Sequence, residues 1–335
     1  MPPITRLCTL LGIELPIVGA GTGSIATARL AAAVTNAGGL GMTGAAGDPP
    51  EAVVERVREI RSLTAGSMGV NVILELQPLE AIERLLAEGI EVLATGFGDP
   101  AEAIALAHQA GTRVFHRCET AEEAQRAAAL GADVVIAQGS DSGGHTGRVP
   151  TFALVPQVVD AAGGVPVLAA GGIADGRGLV AALALGADGV LLGTRLVASI
   201  ESGAHDVYKD GIVAAAADDS VTTDIFEIGW PGRTERVLRN PTTEAWDQEP
   251  EPRVRPLDRP LEIIAHRGEL ELPRWFVDTP NAGDEGAVGE MALYAGPAAG
   301  LVDEVLPAGE IVRRIAAEAD TAWAAVAARM VGSPG

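Results

Sequence analysis

The stretch VVIAQGSDSGGHTGR occupies residues 134–148 and joins an apolar run to a glycine-rich loop. Its first three residues, Val134–Ile136, form the kind of continuous apolar run that predicts a short buried strand. The glycines that follow surround one imidazole, His145, in a segment too flexible and polar to belong to a core. We therefore expect the chemistry of this protein in the loop that follows this strand.

The same alternation of a short apolar strand and an Ala-rich helix repeats eight times before residue 205. The predicted strands begin near Pro16, Leu40, Met68, Val92, Arg113, Val134, Val165 and Gly189. The predicted helices cover residues 25–37, 49–63, 79–87, 100–109, 120–130 and 176–185. Eight such units in one run predict an α/β fold of the TIM (β/α)8 barrel type, because a doubly wound sheet usually stops sooner.

The composition changes after Leu196. Residues 204–290 are richer in polar residues, prolines and tryptophans, and we predict there a smaller, mainly helical substrate or lid domain. An irregular insertion is the alternative. Residues 1–203 and 291–335 then form the barrel, with Ala-rich helix over residues 291–329 packing back on it.

Charge and cysteine content narrow the class of protein. The 335 residues carry a formal net charge of −21, which opposes binding to nucleic acid and to anionic lipid. Two distant cysteines, Cys8 and Cys118, fit a reducing compartment, and the first residues contain neither a signal-peptide core nor a membrane span. We therefore predict a cytoplasmic protein. No cluster of His, Asp and Glu has metal-ligand spacing, so no catalytic metal is predicted.

Glycine-rich turns follow the seventh and eighth predicted strands. These turns are Gly171–Gly172 and Gly193–Thr194. In barrel enzymes the loops after these two strands commonly hold phosphate, because backbone N–H groups reach an anion only where no side chain intrudes. Glycines that merely form tight turns are the structural alternative. The pair of turns favours a phosphorylated cofactor or substrate.

Residues at other strand ends suit a flat ring. Asn71 ends the third strand and Gln138 ends the sixth, where an amide can pair with a heterocycle or satisfy loop backbone. After the first strand come three small residues, Ala20, Gly21 and Thr22. A dinucleotide-binding fingerprint fails there, because Ser24 stands at its third glycine. A ring together with a phosphate suggests FMN.

His145 is the leading acid/base candidate, since an imidazole at a strand end can accept or donate a proton near neutral pH. Asp141 precedes it by four residues and either orients the imidazole or caps the loop. His116 also ends a strand, where it is either a packing residue or lies at the edge of the phosphate site.

Several motifs, in this order, resemble the nitronate monooxygenases, formerly called 2-nitropropane dioxygenases. In the first part of the chain they are LAAAVTNAGGLG at 30–41, QGSDSGGHTG at 138–147, AAGGIADGRG at 169–178 and GVLLGTRLVAS at 189–199. Farther on they are ESGAHDVYKDGIV at 201–213, GRTERVLRN at 232–240 and MALYAGPAAGLVDEVLP at 291–307. The resemblance covers nearly the whole chain.

The resemblance implies a TIM barrel that carries FMN and oxidises alkyl nitronates with oxygen to carbonyl compounds and nitrite. It implies that His145 lies over the flavin, as a base for a nitroalkane or as a hydrogen-bond partner for a nitronate. Asn71 and Gln138 are expected beside the isoalloxazine or the ribityl chain, and the two late glycine turns beside the phosphate. The residues expected to hold FMN are Ala20, Gly21, Thr22, Asn71, Gln138, Gly143, Gly144, Gly171, Gly172, Gly193 and Thr194.

The chain departs from the family pattern at three places. Gly19–Thr22 stands where the family usually has Gln-Ala-Pro-Met, which removes a thioether from beside the ring. Asp141 replaces a usual Glu, and Pro297 replaces a common Gln. These departures concern the substrate more than the cofactor.

Two other functions are compatible with the same residues. One is an NAD(P)H-dependent quinone or enoyl-thioester reductase, because related enoyl reductases share a Gly-Gly-His loop. The other is a non-catalytic barrel that binds FMN or phosphate, since a fold does not prove turnover. Ala-rich helix faces suit a homodimer as well as a monomer.

Overall fold

Strands and helices alternate through the first two thirds of the chain in the computed structural model, which describes residues 4–331. The strands of this part are β1 (Ile17–Gly19), β2 (Gly41–Gly44), β3 (Met68–Ile73), β4 (Val92–Gly96), β5 (Arg113–Cys118), β6 (Val134–Gln138), β7 (Gly144–His145), β8 (Val167–Ala170) and β9 (Gly189–Leu192). All except β7 belong to one parallel sheet. Each predicted strand begins within two residues of an observed one, which confirms the eight β-α units.

The parallel sheet closes into a barrel. Around it the strands follow the order β1, β9, β8, β6, β5, β4, β3 and β2. A parallel bridge between Val18 and Leu40 joins its two ends. At this seam Gly19 N–H donates to the Leu40 carbonyl at 2.9 Å, and Leu40 N–H donates to the Ile17 carbonyl at 3.0 Å. The predicted TIM barrel is therefore confirmed.

Twelve α-helices lie in the described chain. They are α1 (Arg6–Leu11), α2 (Ala28–Asn36), α3 (Pro50–Leu63), α4 (Leu79–Ala87), α5 (Ala101–Gln109), α6 (Ala121–Leu130), α7 (Thr151–Ala161), α8 (Gly176–Ala184), α9 (Thr194–Val197), α10 (Asp206–Ala214), α11 (Pro241–Gln248) and α12 (Ala308–Val331). The six helices predicted between strands are present, each within three residues at either end. Helix α7 was not predicted, and it contains an internal proline, Pro156, a residue that usually ends a helix. No helix in the described chain is long and apolar enough to cross a membrane.

Two apolar layers hold the barrel together. The outer layer lies between the sheet and the surrounding helices, and the inner layer fills the barrel itself. Leu7 and Leu11 of α1 join the inner layer beside Val18, Phe115 and Leu168. Because α1 precedes β1 and packs into the barrel interior, it closes the amino-terminal end of the strands and leaves the carboxyl end for a site.

The segment over residues 204–290 contains more strand than expected. Besides α10 and α11 it holds β10 (Ser220–Thr223), β11 (Glu235–Leu238), β12 (Ile263–Arg267), β13 (Leu270–Pro273) and β14 (Asp284–Gly286). These strands make two three-stranded antiparallel sheets, β10-β11-β7 and β13-β12-β14. The expected mainly helical segment is thus a mixed one, because its strands are too short to show a pattern in sequence. We call residues 204–290 the insertion; its limits as a domain stay a prediction.

The last helix starts later than predicted. Residues 291–307 include a short 3-10 turn, Pro297–Leu301, and α12 begins only at Ala308. Helix α12 then packs against α8 and α2 of the barrel. Glu318 of α12 accepts a hydrogen bond from the Gly176 N–H group of α8 at 3.0 Å. The end of the chain therefore packs back on the barrel, as expected.

Candidate active site

The residues expected to form the site lie at one end of the barrel. Gln138 ends β6, as expected, whereas Asn71 does not end β3 but lies two residues before its last residue, Ile73. The turns at Gly171–Gly172 and Gly193–Thr194 directly follow β8 and β9, and Ala20–Thr22 directly follows β1. Since all eight strands are parallel, these residues gather at the carboxyl end of the barrel, where barrel enzymes carry their sites.

His145 lies where the barrel meets the insertion. The loop after β6 folds back as β7, and β7 pairs with β11 so that His145 lies opposite Glu235. Thr146 N–H extends this pairing by donating to the Thr234 carbonyl at 3.2 Å. Backbone hydrogen bonds from both parts of the chain therefore fix the position of the imidazole.

The carbonyl of His145 is anchored to the barrel by two side chains. Gln138 Nε2 donates to it at 2.9 Å, and Arg117 Nη2 donates to it at 3.2 Å. Arg117 Nε also donates to Gln138 Oε1 at 2.8 Å, and its guanidinium pairs with Glu119. Gln138 thus uses both ends of its amide to position the loop, while its expected contact with a cofactor stays a prediction.

Aromatic rings surround the imidazole. The centroid of His145 lies 4.5 Å from that of Trp230, 5.6 Å from that of Tyr294 and 6.2 Å from that of Phe97. Phe97 follows β4 with a φ of 56° and lies under the Arg117 guanidinium at 3.9 Å. Phe97 is a site residue that sequence reasoning missed, although its position at a strand end is a usable signal. The imidazole is therefore in a compact, largely apolar cage.

Burial in this cage keeps the imidazole uncharged. Burial is the larger cause, and together with the positive charges of Arg117 and Arg233 it lowers the pKa of His145 to about 4. Arg233 lies over the Trp230 ring at 4.9 Å and pairs with Glu75. A neutral imidazole next to two guanidinium groups can donate one N–H hydrogen bond and is suited to an anionic ligand.

Glu235 is the polar residue next to the imidazole that sequence reasoning missed. Its side chain is 1% exposed, and Oε2 lies 3.5 Å from His145 Nδ1. The pKa of Glu235 is raised to about 8, mainly by burial and in part by the negative charges of Asp224 and Glu227. The hydrogen bond from Phe226 N–H acts in the opposite direction. Glu235 is therefore mostly protonated at neutral pH. No local pattern could have identified it, because only the β7–β11 register places it opposite His145.

These two groups predict a pH dependence of stability. The pKa of Glu235 is raised from its ordinary 4.5, so its contribution is present below pH 4.5 and is lost as the pH rises through 8. The pKa of His145 is lowered from 6.5, so its contribution is present above pH 6.5 and is lost as the pH falls through 4. The two oppose each other between pH 4.5 and 6.5, and Glu235 alone acts from 6.5 to 8. The Tm should therefore fall over this upper range.

Thermal unfolding of the wild type and of Glu235→Gln between pH 6.5 and 8 tests this dependence. The variant should show a smaller fall in Tm, because it has no carboxyl group to ionise in the cage. Glu285→Gln removes an exposed carboxyl group in the insertion and serves as the control. An equal fall in Tm for the wild type and Glu235→Gln would contradict the buried, protonated state of Glu235.

Of the late glycine turns, the one at Gly193 leaves room for a ligand group, whereas a Cβ atom at Gly171 would lie 2.6 Å from Ser142 Oγ. Gly171 and Gly172 have φ values of 106° and 74°, so both occupy the left-handed region that favours glycine. Ser142 Oγ beside Gly171 is buried and has no hydrogen-bond partner in the described chain. A Cβ atom at Gly193 would lie 4.0 Å from Thr22 Cγ2, its nearest neighbour among the described atoms. An orphaned hydroxyl and an unfilled space fit the phosphate of a cofactor.

The remaining expected cofactor residues take part in packing of the loops. Asn71 Nδ2 donates to the Gly21 carbonyl at 3.3 Å. A Cβ atom at Gly143 would lie 2.7 Å from the Ala295 backbone, so the fold itself requires a glycine there. Thr194 Oγ1 accepts a hydrogen bond from Gly296 N–H at 3.2 Å. Their roles toward a cofactor stay predictions.

Asp141 and His116 have structural partners. Thr151 is the first residue of α7, and its N–H group donates to Asp141 Oδ2 at 2.7 Å. Asp141 therefore caps this helix. His116 is buried, and its Nδ1 lies 2.8 Å from Thr95 Oγ1. Burial lowers the pKa of His116 to about 4, which is consistent with a packing residue. Across residues 4–331, no group of three or more His, Cys, Asp or Glu could hold a metal ion.

Comparison with known proteins agrees with this arrangement. The family model described as Nitronate monooxygenase matches residues 5–318. A protein of Mycobacterium tuberculosis named (3aS,4S,5R,7aS)-5-hydroxy-7a-methyl-1-oxo-octahydro-1H-indene-4-carboxyl-CoA dehydrogenase is 38% identical over 243 residues, which are 72% of this chain and 67% of that protein.

Two solved structures cover almost the whole chain. FabK from Thermotoga maritima superposes with a TM-score of 0.82 at 35% identity, covering 96% of this chain and 98% of its own. Nitroalkane oxidase from Streptomyces ansochromogenes superposes with a TM-score of 0.78 at 31% identity, covering 96% and 99%. The similarity therefore includes both the barrel and the insertion.

Proposed function

Because the chain belongs to the nitronate monooxygenase family and is an oxidoreductase of that type, we propose that it oxidises alkyl nitronates with oxygen to carbonyl compounds and nitrite. The observation that carries this proposal is the position of the His145 imidazole, buried against Trp230 beside Arg117 and Arg233 at the barrel mouth. Bound FMN would supply the redox chemistry, accepting electrons from the substrate and passing them to oxygen. The enzyme would supply the site that binds and orients the substrate.

The charge distribution favours an anionic substrate. Both guanidinium groups lower the pKa of His145, so the same positive field would attract the negative charge of a nitronate. An imidazole with a pKa of about 4 is a weak base for removing a proton from a neutral nitroalkane. Its N–H group can still donate a hydrogen bond to a nitronate oxygen. Of the two roles expected for His145, we therefore favour the hydrogen-bond donor.

The residues around the mouth support FMN as the cofactor. Ser142 Oγ is an unsatisfied buried donor, and the space above Gly193 is not filled by the described chain. These two features would serve the phosphate, together with the backbone at Gly171. The Gly172 N–H group already donates to the Asp141 carbonyl at 3.2 Å. The small residues Ala20–Thr22 and the amide of Asn71 would lie beside the ring and its ribityl chain. A phosphorylated flavin accounts for all of these features together.

Dehydrogenation of an acyl-CoA thioester is the second candidate. It is favoured by the 38% identity to the carboxyl-CoA dehydrogenase of Mycobacterium tuberculosis. Against it, a cavity of 280 Å³ beside the ends of β3 and β4 is lined by Glu75, Asp99 and Glu102, of which Glu75 and Asp99 are ion-paired with Arg233 and Arg126. The net charge of −21 adds to the repulsion of a large anionic carrier. A reductase that uses NAD(P)H would likewise need contacts to the phosphate groups of an anionic nucleotide.

Absorbance spectra of the purified protein under anaerobic conditions test the proposed function. We expect a primary alkyl nitronate alone to bleach the bound flavin, and nitrite to form when oxygen is admitted. Bleaching by NADH alone would make the protein a reductase, and bleaching by an acyl-CoA alone would make it a dehydrogenase. If the purified protein contains no flavin and also fails to bind added FMN, none of these three flavin-dependent functions applies.

A further inference from the structure

Glu235 occupies the position from which a side chain could share a proton with the imidazole. Its Oε2 atom lies 3.5 Å from His145 Nδ1, which is buried and has no hydrogen-bond partner within residues 4–331. Its other oxygen, Oε1, accepts a hydrogen bond from Phe226 N–H at 2.9 Å. This bond holds the carboxyl group with one oxygen fixed and the other facing the ring nitrogen, so a small movement would close the pair.

We propose that Glu235 is the positioning residue of His145, and that the proton on Glu235 decides which imidazole nitrogen carries the N–H. When the carboxyl group is protonated, it donates to Nδ1, and the imidazole proton lies on Nε2. When the carboxyl group is ionised, it accepts from Nδ1–H, and Nε2 carries a lone pair. Ionisation releases one proton to solvent, and the imidazole stays neutral because its own proton moves between its two nitrogens.

The two tautomers suit different substrates. Nε2–H is a donor for an anionic oxygen, such as that of a nitronate. An unprotonated Nε2, made more basic by the ionised carboxylate at Nδ1, can instead accept a proton from a neutral carbon acid, such as a nitroalkane. The inference deepens the proposed function and rests on it in one respect, which is that His145 meets the substrate. The state of Glu235 would then set whether the site accepts the anion or the neutral acid.

The charged groups around the pair differ in sign: those near the imidazole are positive, and those near the carboxyl group of Glu235 are negative. From β5 and from the segment before β11, Arg117 and Arg233 place positive charge near the imidazole. From the other side, Asp224 and Glu227 oppose ionisation of Glu235, and Glu227 itself pairs with Arg255. Burial is the largest effect and raises the pKa of Glu235 to about 8, so the exchange of tautomers falls within reach of experiment.

The nearby phenol does not replace the carboxyl group in this role. Tyr294 lies against the imidazole, but its hydroxyl group donates to the Val277 carbonyl at 2.6 Å. Burial also raises the pKa of Tyr294 well above its ordinary value, so this phenol stays protonated. Glu235 is therefore the titrating group that controls Nδ1.

Glutamine at position 235 provides a matched variant. Its Oε1 atom can keep the hydrogen bond from Phe226 N–H, and its NH₂ group then takes the place of Oε2 and donates to Nδ1. Glu235→Gln should thus hold the imidazole in the Nε2–H tautomer at every pH above its pKa of about 4. The substitution does not disturb packing in general, because glutamine has the same size as glutamate and keeps the hydrogen bond from Phe226 N–H.

The test is ¹⁵N NMR of the histidine rings, with His145→Gln used to assign the His145 signals. In the wild-type protein we expect the N–H of His145 on Nε2 at pH 6.5 and on Nδ1 at pH 9.5, with a midpoint near 8. In Glu235→Gln the N–H should remain on Nε2 over the whole range. A signal for Nδ1–H at pH 6.5, or the same transition in wild type and variant, would overturn the inference.

Activity then separates this inference from the proposed function. If the tautomers exchange as described, the ratio of nitronate to nitroalkane turnover should fall between pH 7 and 9 in wild type and stay flat in Glu235→Gln. Exchange of tautomers in a protein that oxidises no nitronate would reject the proposed function and support the inference. If Glu235→Gln fails to fold, the wild-type NMR titration decides the question alone.

Discussion

Replacing His145 by asparagine is expected to lower kcat/KM for a primary alkyl nitronate about 100-fold. The imidazole is the polar group held at the centre of the aromatic cage, and its N–H would donate to the charged substrate. A hydrogen bond to a charged group contributes about 1.5–3 kcal/mol, which corresponds to roughly a 10- to 150-fold change in rate. The asparagine side chain is shorter and would leave the substrate oxygen without this donor. Steady-state nitrite production measures the effect.

His266→Asn is the control for this substitution, because His266 lies exposed on β12. Flavin absorbance per protein should be equal in the wild type and both variants, which shows that cofactor and fold are retained. A change of less than threefold for His145→Asn, with flavin bound, would mean that another group contacts the substrate.

Gly193→Ala is expected to weaken FMN binding about 10- to 100-fold without destabilising the fold. The added methyl group would lie 4.0 Å from its nearest described neighbour, Thr22 Cγ2, so the protein has room for it. A phosphate bound against this backbone would leave no such room, and overpacking costs about 1–3 kcal/mol. Titration of the apoprotein with FMN, followed by flavin fluorescence, gives the two dissociation constants.

Gly283→Ala provides the matched control. A Cβ atom there meets no described atom within 4 Å, and the residue lies in the insertion away from the β8 and β9 turns. If Gly193→Ala and Gly283→Ala both bind FMN as tightly as the wild type, Gly193 forms only a tight turn. If Gly193→Ala instead lowers the Tm by several degrees, the space above it is not available in solution.

The barrel was predictable because its strands are continuous apolar runs separated by regular amphipathic helices. Both signals are local, and each can be identified within a dozen residues. Helix α7 was harder to predict, because Pro156 lies inside it and a proline usually ends a helix. The strands of the insertion were missed for a different reason. Strand β11 is defined by its partners, β7 and β10, and such pairing across distant parts of a chain leaves no trace in a short window.

The candidate site also combines residues that local signals predict with residues that only distant pairing brings together. His145 and the glycine turns follow apolar strands, so their location at the barrel mouth could be predicted. Gln138 was expected either to contact a cofactor or to satisfy loop backbone. In the structure its amide is bonded to Arg117 and to the His145 carbonyl, and its contact with a cofactor stays a prediction. Glu235 and Trp230 come from the insertion, and only the tertiary structure brings them to the imidazole. The contacts with FMN, the cytoplasmic location and the homodimer stay predictions.

The pairing of β7 with β11 bears on how such an enzyme can diverge. The insertion provides both the backbone strand and the carboxyl group beside the imidazole of His145. Exchange of the insertion between relatives, by recombination or in a laboratory chimera, would therefore transfer more than a binding pocket. It would replace the electrostatic environment of His145 in the same step. In this fold, a change of insertion would therefore alter specificity and acid/base behaviour together.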